Sequence, residues 1–188
     1  MRNSQHIFIL ECSASSRTDY LYIRKLLNSV YFAPNDGSLL ISPVYLDGKT
    51  NYNNPSREKD VLNHISSYPG KSYVHYVFDI DRGLRKDKSL NAEIERYVNA
   101  KRYCDTIVPD IIWFNKNIEQ VILGHSVSDN KKVIAAIEFN AKGKVNLDKR
   151  SMNLLSNLDL NTEGSSNFLS VLYPLIPPGK KASEIWKK

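Results

Sequence analysis

The chain has 188 residues, 41% of them hydrophobic and 24% charged, which suits one globular domain with a sizeable core. Lys and Arg outnumber Asp and Glu by 26 to 20, a formal net charge of +6 that favours a polyanionic partner and raises the expectation of nucleic acid. The two cysteines, Cys12 and Cys104, match no metal-ligand spacing, and no apolar run approaches the ~20 residues of a membrane helix, so reduced thiols, a cytosolic protein and no membrane contact are expected.

His6-Ile7-Phe8-Ile9-Leu10 is a short apolar run that reads as a strand and ends on Glu11. After a polar loop, Ser13 to Ser16, apolar residues recur at helical spacing from Tyr20 to Val30, predicting a first helix from about Thr18. Ser16 and Asp19 stand three apart at its start, the spacing of a capping box. Leu39 to Leu46 reads as a strand, and Pro43 within it places that strand near a sheet edge. An irregular, Asn-rich segment over 47–56 follows. A helix then runs through Val61, Leu62 and Ile65 until Pro69-Gly70 stops it.

Tyr73 to Ile80 is the most apolar strand, with aromatic and β-branched residues on both faces, as in a strand buried inside a mostly parallel sheet. It ends in Asp79-Ile80-Asp81. Residues two apart on a strand point to the same side, so the two carboxylates are expected to project together from its C-terminal end, where open α/β sheets bind ligands. Like charges that close repel unless a cation lies between them, and hard oxygen donors suit Mg²⁺ or Mn²⁺. If the first strand lies parallel beside this one, Glu11 reaches the same edge; otherwise it is an ordinary solvent-facing acid.

Arg82, Arg85 and Lys86 follow the acidic pair, where they could steady a phosphodiester or form a solvated loop. Leu90, Ile94, Tyr97 and Val98 mark an amphipathic helix to about Arg102, and 106–114 reads as a further strand. Ile118 to Leu123 restarts as a helix whose second residue, Glu119, could reach the sheet edge or merely complement the helix dipole. His125, four residues after Val121, is expected to pack on the apolar face of that helix. Helical patterns recur over 131–139, 152–158 and 166–175. The alternation of strands and helices predicts an α/β fold, a compact and mostly parallel sheet flanked by helices with a helical C-terminal part, in one domain over residues 1–179 with a basic tail over 180–188.

Taken together, the layout resembles the Toprim domain, and within it the RloB-like and OLD-type nucleases of bacterial defence loci. Ile7-Phe8-Ile9-Leu10-Glu11 is similar to that family's first strand with its terminal Glu, and Thr18-Asp19-Tyr20-Leu21-Tyr22 to the Thr-Glu-x-x-Tyr that opens its first helix. Phe78-Asp79-Ile80-Asp81 stands at the family's Asp-x-Asp strand, and Ile118 to His125 resembles the Phe-Glu-x-Trp-Leu-Leu-x-His segment of RloB-like proteins. Gly164-Ser165-Ser166-Asn167 is a weaker echo of a C-terminal Ser-Thr motif.

The resemblance implies a Toprim fold, a Mg²⁺ (or Mn²⁺) site built from Glu11, Asp79 and Asp81 with Glu119 beside it, and phosphodiester cleavage of DNA or RNA in anti-phage defence, with room for a partner protein of a defence complex. The sequence departs from the family's Glu-Gly-x-Thr-Glu: residues 11–19 carry an insertion, no Gly, and Asp19 in place of Glu. That leaves Asp19 open as a ligand and keeps in view a second reading, a catalytically weakened module that binds nucleic acid or protein. A third is a nucleotide-sugar glycosyltransferase, which also uses Asp-x-Asp after a buried strand; aspartyl phosphatases use a similar pair near the N-terminus. Glu11 has no role in either of these last two schemes.

Overall fold

The computed structural model describes residues 4–32, 39–48, 51, 54–80, 109–143, 145, 147–160 and 162–176. Four parallel strands form its sheet: β1 (Ser4–Leu10), β2 (Leu39–Tyr45), β3 (Lys71–Ile80) and β4 (Asp110–Asn115), in the order β2-β1-β3-β4. Among the described residues, six α-helices and two further helical turns accompany them. The α-helices are α1 (Thr18–Leu27), α2 (Pro55–Ser66), α3 (Ile118–Leu123), α4 (Lys132–Ala141), α5 (Lys149–Leu155) and α6 (Phe168–Leu172). A π-helical turn, Asn28–Phe32, extends α1, and a 3₁₀ turn, Asp129–Lys131, leads into α4.

The α/β fold expected from the alternation is the one observed. β1 and β3 are central, and both are buried on both faces, where apolar residues predominate and the polar His6 and His75 are buried with them. β2 lies at an edge, where Pro43, lacking an N–H, is tolerated. Successive crossovers run in opposite directions from β1, so α1 and α2 fall on opposite faces. On one face Phe8, Leu10, Val77 and Phe114 pack with Tyr22, Ile23 and Leu26 of α1 and with α3 to α6. On the other, Ile7, Ile9, Val74 and Tyr76 pack with Val44, Leu46 and Val61 of α2. α4 lies across α1, with the Phe139 and Tyr22 rings 5.1 Å apart and Lys25 Nζ donating to the Asn140 carbonyl at 2.9 Å.

The helix boundaries follow local chemistry. Asn54 accepts from Ser56 N–H at the start of α2, with Pro55 as its first residue, and Asn117 accepts from Gln120 N–H at the start of α3. Gly124, at φ 76°, ends α3 in the left-handed conformation. That early stop corrects the expectation for His125: it is exposed rather than packed, because the helical register that would carry it to the apolar face ends one residue before it. The helix expected over 152–158 starts earlier, at Lys149, where Asp148 caps it. The amphipathic helix expected near 90–102, Cys104 and the tail over 180–188 lie outside the described residues.

The Ser165-Ser166-Asn167 segment closes the outer edge of β4. Phe114 and Ser166 form an antiparallel bridge, Asn167 accepts from Trp113 N–H at 2.9 Å, and its amide donates to the Ile111 carbonyl at 2.9 Å. These contacts give the segment an architectural role, covering ladder groups that an edge strand leaves open.

Candidate metal and phosphodiester site

In a β2-β1-β3-β4 sheet the connections leave β1 in one direction and return to β3 on its other side. The strand order therefore reverses between β1 and β3, the switch point at whose C-terminal edge open α/β sheets form a crevice. Leu10 and Val77 are register partners, so Glu11, one residue past β1, and Asp79, two residues past Val77, arrive at the same sheet edge. This is the convergence expected from the two strands being parallel neighbours.

The crevice is a half-open cavity of about 340 Å³ lined by Glu11, Asp19, Asp79 and Glu119, with Asp129 and Lys132 contributed from the far side. Its walls are fixed by backbone pairing between loops. The Leu46 and Gly48 N–H groups donate to the Leu10 and Glu11 carbonyls at 2.8 and 2.9 Å, joining the loops after β1 and β2, and Lys116 N–H donates to the Ile80 carbonyl at 3.0 Å. Three non-glycine residues at this edge, Arg17, Asp47 and Lys116, take φ values of 53°, 57° and 82°. Such backbone is costly and persists where the surroundings over-determine it, often around functional sites.

Each acid is held differently. Asp79 accepts from Ile118 N–H at 3.0 Å, so it ties the start of α3 to β3 as well as facing the crevice. Asp19 accepts from Cys12 N–H at 3.1 Å and from the Thr18 hydroxyl at 3.1 Å. The capping box expected from Ser16 and Asp19 is not formed: Arg17, in the left-handed region, precedes α1 without a side-chain cap, Ser16 bonds back to Ser13, and Asp19 turns inward to the loop after β1. Glu119 is only 3% exposed.

Electrostatics reflect this crowding. Burial raises the pKa of Asp19 above the ordinary carboxylate value despite the hydrogen bonds from Cys12 and Thr18. Burial likewise raises Glu119, and the charges of Asp19 and Asp129 add to it while Lys132 opposes. Burial and the neighbouring Asp19 charge also push the Cys12 thiol up, which keeps it protonated and inert as a nucleophile. Tyr22, fully buried, is raised by burial and then by the charges of Glu119 and Asp19, and its hydroxyl finds no hydrogen-bond partner among the described residues.

No protein-family model, curated protein or solved structure matches the chain.

Of the site residues expected from the sequence, Glu11, Asp79, Glu119 and Asp19 line one cavity. Asp81, Arg82, Arg85 and Lys86 lie outside the described residues. Among the described residues no three His, Cys, Asp or Glu side chains stand close enough to form a ready-made metal centre. The donor chemistry nonetheless fits a hard divalent cation: the side chains that gather are carboxylates, and like charges in a half-closed cavity raise one another's cost until a cation offsets it. Asp129 and Lys132 were not legible as site residues. They stand 50 and 53 positions after Asp79, and only the packing of α4 on α1 carries them to the crevice.

Proposed function

We propose that this protein is a divalent-metal-dependent nuclease of Toprim-like design that cleaves phosphodiester bonds of DNA or RNA. The observation that carries the reading is the meeting of Glu11 and Asp79, from adjacent parallel strands, in one acidic crevice at the switch point of the sheet. Glu11, Asp79 and Asp81, with Glu119 beside them, would hold Mg²⁺ or Mn²⁺. A bound ion of this kind lowers the pKa of water and neutralises charge on a phosphoryl oxygen. The chain's own part is to place the carboxylates. Asp79 is oriented by the Ile118 N–H, and Glu11 is fixed through its backbone by Gly48. Arg82, Arg85 and Lys86, next in sequence, would bind the flanking phosphates, in keeping with the net charge of +6. Anti-phage defence is the setting that the family resemblance suggests.

A second reading has one observation in its favour. Asp19, at the position of the family's second Glu, is spent on the Cys12 N–H and the Thr18 hydroxyl. A module that binds nucleic acid without cutting it is consistent with that. Purified protein incubated with plasmid DNA and with total RNA, in Mg²⁺, Mn²⁺ or EDTA, separates the two. Cleavage that needs the metal and is lost in Asp79→Asn and Asp81→Asn supports the nuclease. Salt-sensitive binding without metal or cleavage supports the module, and binding of UDP-sugars with no affinity for nucleic acid would favour a glycosyltransferase.

A further inference from the structure

We propose that Lys132 is a built-in counter-cation of the acidic crevice, competing with a divalent ion for the carboxylates and thereby setting how tightly the crevice takes a metal; the inference rests on the metal-site reading above. Lys132 is the first residue of α4, and α4 is braced against α1 by the Tyr22–Phe139 ring contact and the Lys25–Asn140 hydrogen bond. Its position over the crevice is therefore fixed by packing rather than by a loop. It lines the same cavity as Glu11, Asp19, Asp79 and Glu119, and is the one basic residue among the described lining.

The ammonium has an outer and an inner set of partners. The outer one is Asp129, 3.0 Å away, but that side chain is 96% exposed, so the pair is screened by water and weak. The inner set is electrostatic. Burial alone pulls the Lys132 pKa down, yet the Asp129 hydrogen bond and the charges of Glu119, Asp129 and Asp79 outweigh it and hold the pKa above the ordinary lysine value. Asp19 and Glu119 feel Lys132 in return, as the charge that lowers their pKa against burial. Lys132 thus supplies, in part, the neutralisation that a metal ion supplies in full. A lysine on a flexible stem can give way when a divalent ion or a phosphate enters. Loss of the charge should leave the carboxylates under-neutralised and hungrier for metal.

The test is Mn²⁺ binding, followed by calorimetry and by the paramagnetic resonance of free Mn²⁺, in wild type, Lys132→Met, Lys132→Gln and Lys132→Arg at low ionic strength, with circular dichroism to confirm folding. Unit charges that share one half-open cavity at a protein edge interact strongly enough to change a binding constant by about tenfold. Lys132→Met and Lys132→Gln are expected to bind Mn²⁺ at least ~10-fold more tightly than wild type, and Lys132→Arg to stay within about threefold of it. Unchanged or weaker binding in either neutral variant, beside measurable binding in wild type, overturns the role of Lys132 and leaves the metal site standing. No binding in any of the four proteins removes the metal site and this inference with it.

Discussion

At the N-terminal ends of the strands the protein buries polar side chains that are neutral and answer one another; at the C-terminal ends it gathers carboxylates. Gln5 donates to the Ser42 hydroxyl at 3.0 Å and accepts from Ser72 at 2.9 Å, a polar ladder across three strands. On the other face His6 and His75, both fully buried, share a hydrogen bond of 2.9 Å and stack in nearly parallel planes, with Tyr73 stacked on His6. Hydrogen-bonded neutral pairs of this kind are compatible with a stable core and specify register. At the opposite edge, the same sheet carries Glu11, Asp79 and, through α3, Glu119 into one cavity, where burial raises the pKa of Glu119 and of the neighbouring Asp19. The difference separates what holds the sheet together from what the sheet is arranged to present.

The sharpest way to break the comparison is to neutralise the acidic edge. Asp79→Asn keeps a carbonyl oxygen for the Ile118 N–H, so the fold should survive while metal-dependent cleavage falls by at least ~100-fold. Glu11→Gln should do the same. Retained cleavage in either variant, with folding confirmed by circular dichroism, would remove these residues from the chemistry.

The two edges also differ in how they respond to acid. Burial lowers His6 to about 4 and His75 to about 3, the latter with the His6 charge opposing a second proton. The groups facing the pair are Tyr73, Ser4 and Asp110, whose carboxylate is 3.7 Å from His75 Nδ1. Because both folded values lie below the ordinary 6.5, the unfolded chain takes up protons first. Their contribution to stability is therefore complete above pH 6.5 and is lost as pH falls through 6.5 toward 4 and 3. Urea unfolding between pH 7 and pH 5 should show a loss of a few kcal/mol, and the double variant His6→Leu, His75→Leu should flatten that slope. An unchanged slope would mean that the pair does not titrate as a buried neutral unit. Asp19 and Glu119, with raised values, act in the opposite sense: the cost of their charge is present at neutral pH and is relieved as they protonate.

A smaller effect sharpens that contrast. Glu119→Gln removes a buried charge while keeping the side-chain shape, and should raise the stability of the metal-free protein at pH 8 by ~1 kcal/mol, a gain of the kind found where function imposes strain. Urea midpoints decide it. A loss of comparable size would place Glu119 among the structural groups, paired and needed as an anion.

Much of this was legible from residue order. Ile7 to Leu10 and Tyr73 to Ile80 are predominantly apolar on both faces, as a central parallel strand requires, and the strands carry Glu11 and Asp79 to their ends by simple counting. Pro43 likewise marked the edge position of β2. What depends on packing between distant segments was not legible. Asp129 and Lys132 reach the crevice because α4 lies on α1, and nothing in their own neighbourhood announces it. His125 was misplaced because periodicity alone does not register a Gly124 that turns left-handed and ends the helix.

Ser16 is the smallest test and the most direct one of local against tertiary control. Its spacing from Asp19 matches a capping box, for which removal of the hydroxyl would cost ~1 kcal/mol. In the structure the hydroxyl accepts from Ser13 Oγ at 3.0 Å and donates to the Ser13 carbonyl at 3.3 Å, within a loop that water reaches, and no α1 amide depends on it. Ser16→Ala should therefore change the unfolding free energy by no more than ~0.5 kcal/mol. Asp19 explains why: its carboxylate is drawn to the Cys12 N–H across the crevice loop, so the reciprocal half of the box is unavailable and the local motif yields to the wall of the site. A loss near 1 kcal/mol would restore the cap and place Asp19 back at the helix start, away from the crevice.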